Sequence, residues 1–195
     1  QEALHAPADS VKADPSAAIF PGQVTSAAPR ITRTIHIEHS PVPEHLKHIV
    51  NNLYYSGKDN ATMYSTGLYA APGEVVTIEI PESLKGKTNV QIGCHTDNLD
   101  YWMAAQEAWR RMPQIVRHDL LSEKTTRTAS PFGGLIYITC PPNTPAFNAN
   151  VTIRNAVAAP YYIADRTTDA EWQKMLQETG APWGELESKG IILTI

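Results

Sequence analysis

Two glycine-punctuated segments constrain this chain more than anything else in it. Ser65-Thr66-Gly67-Leu68-Tyr69-Ala70-Ala71-Pro72-Gly73-Glu74 and Ser130-Pro131-Phe132-Gly133-Gly134-Leu135-Ile136-Tyr137 each combine a short apolar strand with tight-turn residues. Two such segments are expected to face each other across a β-sheet. Pro72-Gly73 suits a type II turn, because proline presets φ at the second position and glycine accepts positive φ at the third. Gly133-Gly134, at the start of a strand, suits close approach of a neighbouring backbone, with a cleft-lining backbone as the functional alternative.

The rest of the chain supplies partners for these strands. Ile31 to Glu38 alternates strictly, with Ile31, Ile35 and Ile37 on one face and Thr34, His36 and Glu38 on the other. Strands are expected over Thr66 to Ala70, Glu74 to Ile80, Asn89 to His95, Gln114 to Leu121, Gly134 to Cys140, Asn150 to Val157 and Ile191 to Ile195. Leu46, Ile49, Val50, Leu53 and Tyr54 fall at helical spacing, and Thr168 to Thr179, with Trp172 and Leu176, reads as a short helix. Asn98 to Arg111 has helical composition and sits as an insertion before Pro113. Many short strands with two or three short helices predict a mainly β fold, a jelly-roll-like β-sandwich. Residues 1–30, rich in Ala, Pro, Ser and Asp without apolar periodicity, read as a linker or flexible N-terminal arm. Residues 31–195 read as the sandwich subdomain.

Composition excludes several function classes. Net charge is −4 and the basic residues form no stripe, so nucleic acid is not an expected partner. No apolar run approaches the ~20 residues that a transmembrane helix needs. The chain opens at Gln1 without an apolar leader, so a trimmed, secreted or cell-surface form is expected. It closes on an apolar strand, so continuation into further polypeptide is expected as well. Cys94 and Cys140 each lie in an expected strand, and spacing leaves free thiols and a disulfide both open. Neither belongs to a C-x-x-C pair, which argues against a zinc site there.

No catalytic constellation emerges. His36, His39, His45 and His48 cluster, but Glu44-His45-Leu46-Lys47-His48 puts the glutamate before the first histidine, unlike H-E-x-x-H. His36 and His39 face opposite sides of one strand, and the histidines are read as exposed polar faces of a strand and a helix. There is no G-x-S-x-G elbow. Cys94 and His95 are adjacent on a strand and point apart, so they form no thiolate–imidazolium pair. Catalytic and metal-binding residues are therefore both read as none, with no cofactor in this chain. For glycan or substrate contact the candidates are Trp102, Trp109, Arg127 and Trp183, aromatic faces for stacking and a cation for hydroxyls. His95 and Asp97, closing a strand, are expected to bond local backbone.

The motifs taken in order resemble one family. Ser65-Thr66-Gly67-Leu68-Tyr69, Pro72-Gly73-Glu74, Ile92-Gly93-Cys94-His95-Thr96-Asp97-Asn98-Leu99, Arg110-Arg111-Met112-Pro113, Arg127, Ser130 to Tyr137, Ala158-Ala159-Pro160-Tyr161 and Ala181-Pro182-Trp183-Gly184-Glu185-Leu186 are similar to the front portion of the enhancin-type zinc metallopeptidases. Gly67, Tyr69, Gly73, His95, Asp97, Gly133 and Gly134 are its motif positions here. The resemblance implies a non-catalytic β-sandwich that precedes a C-terminal catalytic subdomain of the same polypeptide. That subdomain would carry zinc and act on O-glycosylated, mucin-like glycoproteins. It also implies that the sandwich braces the catalytic part and lines its cleft. The H-E-x-x-H helix has no counterpart in this sequence, so this chain by itself is expected to be inactive. A stand-alone glycan- or protein-binding module is the alternative.

Overall fold

The structure, a computed structural model, describes residues 2–45, 61–94 and 114–195. Eleven strands are present among them: β1 Ile31–His39, β2 Thr62–Ala70, β3 Val76–Glu79, β4 Asn89–Ile92, β5 Arg117–Leu120, β6 Thr125–Thr128, β7 Gly134–Cys140, β8 Phe147–Ala158, β9 Tyr161–Ile163, β10 Glu185–Glu187 and β11 Ile192–Thr194. Two α-helices accompany them, α1 Glu2–His5 and α2 Asp169–Glu178. No helix among the described residues is long and apolar enough to cross a membrane. The expected helix after Pro43 (with His48), the insertion carrying Trp102 and Trp109, Arg110 to Pro113, and His95 and Asp97 lie outside the described residues.

The strands form a β-sandwich of two antiparallel layers, β1-β8-β3-β6 and β5-β4-β7-β2. The layers join through β8. Up to Arg154 it pairs with β1 and β3; beyond Asn155, Ala156 still pairs with Ile31 of β1, and Val157 and Ala158 pair with β2. Asn155 is the corner. It takes φ 62, a conformation asparagine tolerates, and is skipped in the β1 register. Its Nδ2 donates to the Val75 carbonyl at 2.7 Å, which holds the bend.

The core follows from alternation. Leu68, Val76, Ile78, Ile92, Ile136, Ile138, Val151 and Ile153 meet between the layers. The two opening segments do face each other: Ser65 pairs with Tyr137, Tyr69 with Leu135 and Ala70 with Gly134. All seven residues of β7 are buried, as expected of a run in which Thr139 is the single polar interruption. Ile136 and Ile138 face the core, while Leu135 and Tyr137 face a second cluster with Tyr69, Ala159 and Trp183. His39, read as part of an exposed face, is buried instead; its two ring nitrogens share hydrogen bonds with the Tyr64 hydroxyl and the Thr144 carbonyl.

The N-terminal segment departs from the expected linker or flexible arm. Leu4, Val11 and Ala17 are buried, and the segment is tied to the sandwich along its length. Arg117 donates to the Ala6 carbonyl at 2.9 Å, Asp14 N–H to the Pro131 carbonyl at 2.8 Å, and Tyr69 O–H to the Gly22 carbonyl at 3.0 Å. Single apolar residues anchor an irregular strap without generating any periodicity, so composition alone reads it as loose.

Past the corner, β9, β10 and β11 make a second, three-stranded sheet. β9 and β10 are parallel and connected through α2, a βαβ arrangement. α2 begins at a capping box: Glu171 N–H donates to Thr168 Oγ1 at 3.3 Å, and Thr168 N–H to Glu171 Oε2 at 2.8 Å. β6, β9 and β10 escaped the sequence reading because three or four residues are too few to show a period.

Candidate functional site

The motif residues converge where the small sheet meets the sandwich. On β2 the chain advances four residues, Ser65 to Tyr69, while β7 advances two, Tyr137 to Leu135. The bulge is centred on Gly67 at φ 64, where an added Cβ would stand 2.7 Å from Arg33 Nη1 and 2.9 Å from Tyr161 Cδ1. Thr66 repairs the ladder there, its hydroxyl donating to the Ile136 carbonyl at 2.7 Å and accepting Leu68 N–H at 3.2 Å. The Gly67 carbonyl accepts Arg33 Nη1 at 2.7 Å and Ala159 N–H at 3.0 Å. The bulge therefore fixes Ser65 and the start of β9 side by side.

Glu185 stands opposite. Its carboxylate is 1% exposed, and Oε1 accepts the Tyr137 hydroxyl at 2.6 Å. Burial raises the Glu185 carboxyl above the usual carboxylate range, against the Tyr137 and Ser65 hydroxyls that draw it down. Glu187, on the same face two residues on, accepts the Tyr161 hydroxyl. Burial likewise raises the Tyr137 and Tyr161 phenols, with the adjoining carboxylates adding to it. Cys94 lies beside Thr194 of β11 and is raised by burial, partly offset by the Thr194 hydroxyl. Ser65, Tyr161 and Glu187 also line one wall of a groove running between β1, β2 and the small sheet.

The candidates read from sequence are not gathered at this place. Arg127, on β6, gives both terminal nitrogens to Asp9 of the N-terminal strap, at 2.6 Å each. Trp183 packs on the other layer's outer face, donating its indole N–H to the Pro21 carbonyl and meeting Phe20 edge-on at 5.8 Å. The hollow beside it, walled by Tyr69, Cys94, Gly134 and Leu135, is about 20 Å³, room for roughly one water and not for a sugar ring. Gly134 supplies close approach: an added Cβ would lie 2.7 Å from the Gly93 backbone. Gly133 and Gly73 also take positive φ. At Pro72-Gly73 the turn is closed by Glu74 N–H to the Ala71 carbonyl at 3.1 Å, and Ala13 of the strap passes above it. Cys94 and Cys140 are free thiols.

Sequence reasoning quoted Ser65, Tyr137, Tyr161 and Glu185 as motif residues but assigned them no site. A usable signal was present in Glu185-Leu186-Glu187. Alternation puts both carboxylates on one face of a three-residue strand, where their burial requires hydroxyl partners.

Comparison with known proteins divides the chain at the corner. The family described as the N-terminal domain of M60-like peptidases matches residues 27–154. The family described as peptidase M60, enhancin and enhancin-like, matches residues 155–195. TRPM8 channel-associated factor 3 of Rattus norvegicus is 38% identical over 141 residues, 72% of this chain and 15% of the relative. The chain thus spans about 15% of the length of the curated relatives it matches. Among solved structures, IMPa from Pseudomonas aeruginosa in complex with an O-glycopeptide aligns at TM-score 0.58 and 17% identity, covering 86% of this chain and 18% of that one. The ZmpB metallopeptidase from Clostridium perfringens aligns at 0.57 and 12%, covering 83% and 34%. These two share the fold.

Proposed function

Because the chain belongs to the M60-like, enhancin-type peptidase family, carrying its N-terminal domain, we propose that it braces the catalytic subdomain of a zinc metallopeptidase. One observation carries this reading. The contact from Tyr137 to Glu185 joins the sandwich, residues 27–154, to the small sheet within the peptidase-matched segment, residues 155–195. A buried hydrogen-bonded contact across that boundary fixes the orientation of whatever is built on the small sheet. The substrate class in this reading is O-glycosylated, mucin-like protein, met outside the cell or at its surface. The O-glycopeptide held by IMPa supports that class. Among the described residues no three His, Cys, Asp or Glu side chains come together to hold a metal ion. These residues do not fit zinc, and the reading assigns the metal and the hydrolytic step to the catalytic subdomain.

The test compares this chain with the longer natural polypeptide in zinc content and in cleavage of an O-glycosylated mucin-type protein. The reading expects zinc and cleavage from the longer polypeptide and neither from this chain. Cleavage by this chain alone, or a longer polypeptide without peptidase activity, overturns it.

A protein-binding role is the second reading, favoured by the names of the more identical relatives, the TRPM8 channel-associated factors. Direct binding of the purified chain to a purified TRPM8-type channel, with no peptidase activity in the longer polypeptide, would select it.

A further inference from the structure

The contact between sandwich and small sheet contains two polar atoms that no bond satisfies. Glu185 Oε2 and Ser65 Oγ are both fully buried and close no hydrogen bond. Ser65 nonetheless neighbours Glu185 on one side and Tyr161 on the other closely enough to influence the ionisation of both. A deprotonated carboxylate has only acceptor oxygens, and burying an unpaired carboxylate charge is among the costliest arrangements a protein can hold. A neutral carboxylic acid removes that cost. We propose that Glu185 is a buried carboxylic acid with its proton on Oε2, and that loss of this proton loosens the small sheet from the sandwich.

The groups that face it from the packed elements are hydroxyls and a thiol, against whose hydrogen bonding burial and a second carboxyl prevail. β7 offers the Tyr137 hydroxyl, β2 offers Ser65, β9 offers Tyr161, β11 offers Thr194, and the end of β4 offers the Cys94 thiol. Glu187 on the same strand is a second carboxyl that opposes ionisation of the first. Arg33 of β1 spends Nη1 on the Gly67 carbonyl, and no described cation is among the groups acting on Glu185. Nearby, the Tyr161 hydroxyl donates to Glu187, which borders the groove. On deprotonation the proton passes to water, and Glu185 is left charged between hydroxyls alone.

The sign follows from the raised carboxyl. Below about pH 4.5 the folded and unfolded chains both hold the proton, so Glu185 contributes no pH dependence there. As pH rises past that point the unfolded chain releases its proton first, and stability falls until the folded group also titrates. Glu185→Gln mimics the neutral acid, since its amide oxygen accepts from Tyr137 and its uncharged NH2 takes the place of Oε2–H.

The functional meaning of this clamp rests on the bracing role above, but the proton itself does not. The experiment therefore uses this chain alone. Thermal midpoints of wild type and E185Q are recorded from about pH 5 to about pH 8, alongside carbon-detected NMR of the Glu185 carboxyl and exchange of β10 amides. Expected are a midpoint that declines with pH in wild type but not in E185Q, and a Glu185 resonance that stays protonated after the other glutamates ionise. Exchange at β10 should rise, beyond the intrinsic rate, as that resonance titrates. A Glu185 resonance that titrates with the exposed glutamates overturns the proposal, whether or not E185Q folds. So does exchange at β10 that is unchanged across the titration. Peptidase activity in the longer polypeptide bears on neither outcome.

Discussion

The Tyr137 hydroxyl shows how much one polar atom carries in this molecule. It donates at 2.6 Å to a carboxyl only 1% exposed. Tyr137→Phe keeps the ring in its cluster and strips Glu185 Oε1 of its partner, so a cost of about 1–3 kcal/mol is expected. Urea unfolding of this chain measures it; a loss below a few tenths would mean that the contact is solvated. Cys140 is the opposite kind of residue. It is wholly buried at the end of β7, and burial pushes its thiol up to about 11. Because the thiolate is the nucleophile, iodoacetamide at about pH 8 should leave Cys140 unlabelled in the native chain and label it only after denaturation. Rapid native labelling, read by peptide mass, would contradict its placement.

At the scale of elements, α2 is the informative case. Its capping box is complete, yet none of its residues is buried. Its ring contact with the small sheet is Trp172 edge-on to Tyr162 at 6.0 Å. Thr168→Ala should cost about 1 kcal/mol of local helix stability. With so little packing on the sandwich, that loss should appear as faster amide exchange within α2 while the global unfolding midpoint scarcely moves. A full shift of the midpoint would show that α2 is coupled to the core. The contrast with β7 is physical: a strand between two others with both faces covered has no independent opening, whereas a helix on a three-stranded sheet does.

For the whole molecule, the strap decides how much of the second layer's outer face meets water. Phe20, Pro21 and Gly22 reach Trp183 and Tyr69, so removing residues 1–30 should uncover that aromatic cluster. A lower thermal midpoint and binding of a hydrophobic dye are expected, and an unchanged midpoint would restore the flexible-arm reading. The sequence by itself determined the sandwich, the pairing of the two glycine-punctuated segments and the family. These rest on local signals: alternation in β1, an apolar run in β7, and the Pro72-Gly73 turn. Glycines at Gly67 and Gly134 belong with them, because both take a positive φ that glycine adopts without strain. Tertiary structure alone decided that the first thirty residues are a strap, that Arg127 is spent on Asp9, and that Ser65, Tyr137, Tyr161 and Glu185 meet. Those contacts join residues distant in sequence, and a hydrogen bond between such residues leaves no periodicity behind. Burial, which turns Glu185 from an ordinary carboxylate into a candidate acid, exists only once two sheets have closed over it.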